Sequence, residues 1–205
     1  MRPKRLFLIF AACLGLGAAS DETPIVQGDA AAGKSLYDAQ CLVCHGATGA
    51  STVPLQPILS AQFAEYTAEQ MRQFRDGERK NAIMAPMAAN LSDEDIANLA
   101  AYLAVQAPVI AGAANMTLAQ SAENLYRGGD LQAGIPSCSA CHGPAGAGIT
   151  PIYPRLSGQY AEYVAATLRQ YASGEREGDA MNDIAARLSD EQIDALAEYI
   201  SGLAP

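Results

Sequence analysis

Apolar positions recur with the period of a helix at two places in the 205-residue chain. Ile96, Leu99, Ala100 and Leu103 share one helical face, and Ile193, Leu196, Ala197 and Ile200 share another. Each run follows a stretch that fits a capping box, Ser92-Asp93-Glu94-Asp95 and Ser189-Asp190-Glu191-Gln192. There the serine and the side chain three residues later satisfy the first free amides. Residues 61–75 and 159–172 predict two more helices, each ending near a glycine, and residues 30–39 have helix-favouring composition. No strand-rich pattern intervenes. The expected fold class is all-α.

The two halves repeat each other. An offset of 97 carries Cys41, Cys44, His45 and Gly46 onto Cys138, Cys141, His142 and Gly143, and Pro54 and Pro57 onto Pro151 and Pro154. It carries Leu59, Ser60, Gln62, Glu65 and Tyr66 onto Leu156, Ser157, Gln159, Glu162 and Tyr163, and Gly77-Glu78-Arg79 onto Gly174-Glu175-Arg176. Met84 falls on Met181, and Leu91 to Glu94 on Leu188 to Glu191. Self-similarity on this scale is a tandem duplication. The approaches to the cysteines differ, because Leu125-Tyr126 precedes Cys138 by a longer, Gly-rich stretch than separates Leu36-Tyr37 from Cys41. The expected division is 20–106 for the first domain, 107–117 for a linker containing Pro108 and Gly112, and 118–205 for the second. Ala61 stands where the second half has Gly158, a difference expected to shift the start of that helix.

Chemistry concentrates where the repeat is strictest. The chain has two histidines and five cysteines. Both histidines and four of the cysteines lie in Cys41-Leu42-Val43-Cys44-His45 and Cys138-Ser139-Ala140-Cys141-His142. C-x-x-C-H is the attachment pattern of c-type haem. Each thiol forms a thioether to one vinyl group, and the neighbouring imidazole reaches the iron. A pooled four-ligand zinc site is the alternative, but it gives no reason for a histidine directly after each pair. The cofactor expectation is therefore two covalently bound haem c groups, on Cys41 and Cys44 and on Cys138 and Cys141. A haem would also complete the small core that a helical domain of this size can build alone, so protein lacking it should fold poorly.

His45 and His142 supply one axial ligand each, and no histidine remains for the other side of either iron. Methionine is the natural second ligand, and His/Met ligation raises the reduction potential. Met84 and Met87 both stand in the right segment of the first half, whereas only Met181 follows the second motif. The repeat favours Met84 and Met181, with Met87 second choice and five-coordinate iron open. A carbonyl after each motif should hold the free ring nitrogen of its histidine; Pro57 and Pro154 are candidates. Tyr66, Tyr163, Arg79 and Arg176 could reach haem carboxylates, but core packing for the tyrosines and a solvated turn for the arginines are the favoured readings.

The N-terminus reads as an export signal. Met1-Arg2-Pro3-Lys4-Arg5 is basic, residues 6–16 are apolar, and Gly17-Ala18-Ala19-Ser20 supplies small residues. The apolar run is too short for a membrane span, so a signal peptide over residues 1–19 and a periplasmic location are expected. Removing it discards Cys13 and three of the 13 basic residues, leaving 10 against 22 acidic ones, a net charge of −12. No basic stripe for nucleic acid exists. A negative surface suits positively charged partners, and equally plain solubility.

These residues resemble the cytochrome c4 family of bacterial dihaem carriers. The resemblance rests on the paired C-x-x-C-H-G motifs, the Leu-Ser-x-Gln-x-x-x-Tyr runs from Leu59 and Leu156, the loop methionines before Leu-Ser-Asp-Glu, and the stretch from Tyr126 to Cys138. It covers nearly all of the chain after the export signal. It implies two class I cytochrome c domains about a pseudo-twofold axis, with haem carboxylates near the interface. It also implies electron transfer from a quinol-oxidising cytochrome bc complex towards a terminal oxidase, with membranes met only through those complexes. The alternative is a dihaem electron-accepting subunit of an oxidoreductase, resembling the cytochrome partner of flavocytochrome c sulfide dehydrogenase. A haem enzyme such as a peroxidase needs an exchangeable ligand position, against which a methionine for each iron counts.

Overall fold

The computed structural model describes residues 27–205; the expected export signal lies outside them. Among the described residues the regular structure is helical, with two isolated β-bridges. In the first half, α1 (Ala30–Gln40) runs into a one-turn α2 (Leu42–His45), followed by α3 (Ala64–Asp76), the short α4 (Met84–Ala88) and α5 (Asp93–Ala104). The second half opens with a broken helix, α6 (Met116–Ser121) and α7 (Glu123–Gly128), and then repeats the plan. α8 (Cys138–His142), α9 (Ala161–Ser173), α10 (Asp179–Ala185) and α11 (Asp190–Ser201) follow.

Each half closes around its last helix. The predicted faces of α5 and α11 are buried, and both capping boxes form: Ser92 with Asp95, and Ser189 with Gln192. On one side α5 meets α1 at very close range. A Cβ on Gly33 would stand 1.9 Å from Asn98 O, so only glycine lets the two helices cross here. Tyr37 of α1 lies against Tyr102 of α5, with ring centroids 5.1 Å apart at 48°. Tyr126 and Tyr199 repeat that pair at the same distance and angle. Tyr37, Met71, Phe74, Ile96, Leu99 and Leu103 anchor the first core, and Tyr126, Val164, Leu168, Ile193, Leu196 and Ile200 the second.

The helix predicted over 61–75 begins instead at Ala64, and its partner at Ala161, so the offset of 97 holds and Ala61 shifts nothing. Ala61 adopts the same left-handed backbone as Gly158, φ +58° against +75°. In both halves the amide of this residue donates to the end of the last helix, Ala61 to Leu103 O and Gly158 to Ile200 O. The glycine is required only in the second half, where a Cβ would lie 2.6 Å from Val109 O. Ala61→Gly should therefore stabilise the protein by about 1 kcal/mol, the usual cost of a left-handed residue bearing a Cβ. Gly158→Ala should destabilise it by more. Chemical denaturation of the two variants checks both signs.

The segment between the halves is fastened to the second one. Ala111 N–H donates to Gly158 O at 2.9 Å, Gly112 N–H to Ser201 O at 3.0 Å, and Ser201 Oγ donates back to Gly112 O at 2.6 Å.

The halves join through reciprocal bonds between equivalent residues. Gln62 bonds the backbone of Arg155, and Gln159 bonds the backbone of Ile58. Arg79 Nη2 donates to the Tyr163 hydroxyl at 3.1 Å, and Arg176 Nη2 to the Tyr66 hydroxyl at 2.9 Å. Exchange of this kind relates the halves by a pseudo-twofold axis. It also corrects the reading of both pairs. The arginines are 9% and 3% exposed rather than on solvated turns, and the tyrosines present their hydroxyls to the opposite half rather than serving only as core.

Candidate haem-binding sites

Each C-x-x-C-H motif is wound into about one helical turn, which brings its two cysteines and its histidine to the same end of the core. In α2 the amide of His45 donates to Cys41 O at 3.0 Å and that of Gly46 to Leu42 O at 2.9 Å. In α8 the amide of Gly143 donates to Ser139 O at 3.0 Å. The helix before each motif is tied to the glycine after it: the Tyr37 hydroxyl donates to Gly46 O at 2.7 Å, and that of Tyr126 to Gly143 O at 2.8 Å. These tyrosines correspond despite the longer stretch before the second motif. That stretch folds back on itself, with Asp130 and Ile135 exchanging two bonds of 2.8 Å. Arg187 Nη1 donates to Gly134 O at 2.6 Å and pins the turn to the end of α10.

His45 and His142 are 6% and 7% exposed. The Nδ1–H of His45 donates to Pro57 O at 3.1 Å, and that of His142 to Pro154 O at 3.0 Å. The two proline carbonyls are thus the acceptors anticipated for the ring nitrogens. Burial pushes both imidazoles below their ordinary pKa, and the carbonyl bonds only partly offset it. The rings are neutral at physiological pH. With Nδ1 engaged as the donor, Nε2 keeps its lone pair for a metal. Burial also pushes the Cys41 and Cys138 thiols up to about 11. The four motif thiols are free. Among the described residues no group of three or more His, Cys, Asp and Glu side chains is gathered as a metal site would need.

The two candidate methionines of the first half are placed differently. Met84 packs against the first core together with Cys41, and Met181 against the second together with Cys138. Met87 is 41% exposed. Asn81 caps the turn that carries Met84, its Oδ1 accepting from the amides of Ile83 and Met84 at 2.9 Å each. In the second half Asn182 braces the same region by donating from Nδ2 to Tyr171 O and Arg176 O, both at 2.8 Å.

Beside these groups lies a feature that residue spacing did not reveal. Arg79 and Arg176 both donate to Gln70 Oε1 at 2.7 Å, so one glutamine of the first half joins the two guanidiniums. Each arginine also stacks on a ring of its own half, Arg79 on Phe74 at 4.5 Å and Arg176 on Tyr171 at 4.6 Å. Burial alone would raise the pKa of the Tyr163 phenol, but the two guanidiniums outweigh it and hold it below its ordinary value. These cations bond to phenols and an amide, not to carboxylates. Buried Arg155 Nη2 and Arg176 Nε have no hydrogen-bond partner among the described residues. A group that brings its own carboxylates suits such donors. Neutral buried imidazoles with free Nε2, paired thiols one turn away, a thioether on the same core and unpaired buried cations together fit haem. The preservation of Gln62/Gln159, Tyr66/Tyr163 and Arg79/Arg176 in the repeat was the sequence signal for the interface.

Comparison with known proteins agrees. The family model described as cytochrome c oxidase, cbb3-type, subunit III, matches twice, over residues 28–103 and 121–200, as a single-unit model matches a duplicated chain. A cytochrome c4 from Thiocapsa roseopersicina is 43% identical over 181 residues, covering 86% of this chain and 93% of that protein. The crystal structure of reduced recombinant cytochrome c4 from Pseudomonas stutzeri superposes with a TM-score of 0.82 at 37% identity, covering 86% of this chain and 100% of that one. A protein named thiosulfate dehydrogenase electron acceptor, from Stutzerimonas stutzeri strain A1501, is 36% identical, covering 87% of this chain and 89% of its own length. Similarity of this extent, in sequence and fold at once, means that the chain belongs to the cytochrome c4 family: it is a dihaem c-type cytochrome, and it transfers electrons rather than catalysing a reaction of its own.

Proposed function

We propose that the protein is a mobile periplasmic electron carrier of a respiratory chain, taking electrons from a quinol-oxidising cytochrome bc complex and passing them towards a terminal oxidase. In this reading Cys41 and Cys44 hold one haem covalently and Cys138 and Cys141 the other. His45 and Met84 are the axial ligands in the first domain, and His142 and Met181 in the second. The domains run over 20–106 and 118–205 around a linker at 107–117, after a signal peptide at 1–19. The observation that carries the reading is the duplicated motif histidine, buried, neutral and held at Nδ1 by a proline carbonyl.

Bound haem supplies an iron that alternates between the ferric and ferrous states. The chain's residues decide how readily it does so. Histidine and methionine together favour the ferrous state and a high potential, and two strong ligands leave no position for a substrate. The buried guanidiniums of Arg79 and Arg176 oppose the positive charge gained on oxidation, which again favours the ferrous state. Because His45 and His142 are buried and each is tied to a carbonyl, little has to move on that side when the electron does. No helix among the described residues is long and apolar enough to cross a membrane. The excess of acidic residues suits a partner with a basic docking patch.

The likeness to the thiosulfate dehydrogenase electron acceptor supports a second reading, in which the protein serves one oxidoreductase as its dihaem acceptor. Sizing chromatography of a native periplasmic extract, followed by haem and flavin absorbance and by thiosulfate-oxidising activity, separates the two. A carrier elutes free, at the size of this chain or a small oligomer, and is reduced by bc-containing membranes given a quinol. Co-elution with enzyme activity in a larger assembly, and no reduction by those membranes, is the result of the second reading.

A further inference from the structure

The carbonyls that hold the two imidazoles are themselves held, each by the other half of the molecule. Pro57 O and Ile58 N–H belong to one planar peptide unit. The carbonyl accepts from His45, while the N–H donates to Gln159 Oε1 at 3.0 Å. Gln159 Nε2 also donates to Ile58 O at 2.9 Å, so the side-chain amide clasps that residue on both sides. The second half mirrors this. Pro154 O accepts from His142, Arg155 N–H of the same peptide donates to Gln62 Oε1 at 3.0 Å, and Gln62 Nε2 donates to Arg155 O at 2.9 Å.

We propose that Gln159 is a positioning residue for His45, and Gln62 for His142, so that each half sets the proximal hydrogen bond of the other. Two physical effects act together. A peptide plane pinned at its N–H cannot rotate its carbonyl away from the imidazole. A peptide whose N–H is engaged also becomes a better acceptor at its oxygen, because bonds in a chain polarise one another. Both tighten the Nδ1–H···O bond, and a tighter bond makes the imidazole a more basic ligand. A more basic ligand favours ferric iron. Loss of the clasp therefore raises the potential of the haem in the opposite half.

The inference rests on ligation by His45 and His142. The test uses the intact holoprotein with Gln159→Met and Gln62→Met, which keep side-chain length and remove both bonds. Redox titration resolves the two potentials, and NMR of the reduced protein follows solvent exchange of each histidine ring N–H. Gln159→Met should raise the ferrous-to-ferric ratio of the first haem roughly fivefold at fixed solution potential, the effect of one hydrogen bond. It should also speed exchange at His45 and leave His142 unchanged; Gln62→Met should do the converse. Gln159→Glu keeps the acceptor for Ile58 N–H and should keep His45 exchange slow, which tests the idea even if the methionine variants fold poorly. With both low-spin spectra intact, shifts in the variant's own half, equal shifts in both halves, or none would overturn the proposal. Failure of the ligation itself appears elsewhere, as a His45→Ala protein whose first haem keeps its native low-spin spectrum.

Discussion

Deprived of its first haem, the first half of the protein should lose its cooperative fold. Cys41→Ser combined with Cys44→Ser removes both proposed points of covalent attachment and leaves the second motif intact. The expected product binds one haem by pyridine haemochrome assay, loses the part of its far-ultraviolet helix signal due to α1–α5, and is cleaved by protease within residues 28–104. The reason lies in the core. Short α2 and α4 carry few apolar contacts of their own, and Cys41, Leu42 and Met84 pack only partly buried at the margin of the first cluster. A unit of this size buries a small fraction of its surface compared with a larger domain. Net stabilities of only about 5–15 kcal/mol leave no reserve for losing a central apolar group. The effect should extend to the second half, because Gln159, Tyr163 and Arg176 lose their partners across the interface. A one-haem protein with the full helix content and a single sharp unfolding transition would show that the polypeptide core suffices by itself.

Replacing Met84 by histidine should lower the potential of the first haem on the order of hundreds of millivolts, within the span of about 0.8 V over which axial ligands tune haem iron. Thioether sulfur favours ferrous iron and imidazole favours ferric iron, so the sign is fixed by the ligand pair. Met181→His should do the same to the second haem. The control is Met87→Leu, which should leave both potentials and the Met-ligated spectrum in place, because Met87 is exposed while Met84 packs against the first core. Loss of that spectrum in Met87→Leu, with Met84→Leu silent, would exchange the roles of the two methionines.

The arginine pair shows why part of the site was hidden. In a linear reading Gly77-Glu78-Arg79 is a polar turn after a helix, and a solvated arginine is the ordinary outcome. In the folded chain Arg79 meets Tyr163, 84 residues away, and Arg176 meets Tyr66, 110 residues away. Neither separation corresponds to a helical or strand period, so no local pattern could announce them. The helix start at Ala61 failed for a related reason. A left-handed residue looks like any alanine until the amide it must offer to Leu103 O is seen.

By itself, then, the amino-acid sequence determined whatever short-range chemistry or exact repetition can encode. Two C-x-x-C-H motifs specify haem because one turn of chain brings two thiols and an imidazole to one side. The offset of 97 specifies a duplicated helical fold, and Ser92 and Ser189 mark the last helices because capping is a three-residue affair. The tertiary structure alone decided how the halves face each other, and that Gln62 and Gln159 grip, from the opposite half, the peptides whose carbonyls hold the imidazoles. The glutamine contacts join residues separated by 93 and 101 positions, each in a different half. They form only when two finished surfaces meet, since a side-chain amide finds a particular backbone peptide through packing and desolvation, not through spacing along the chain.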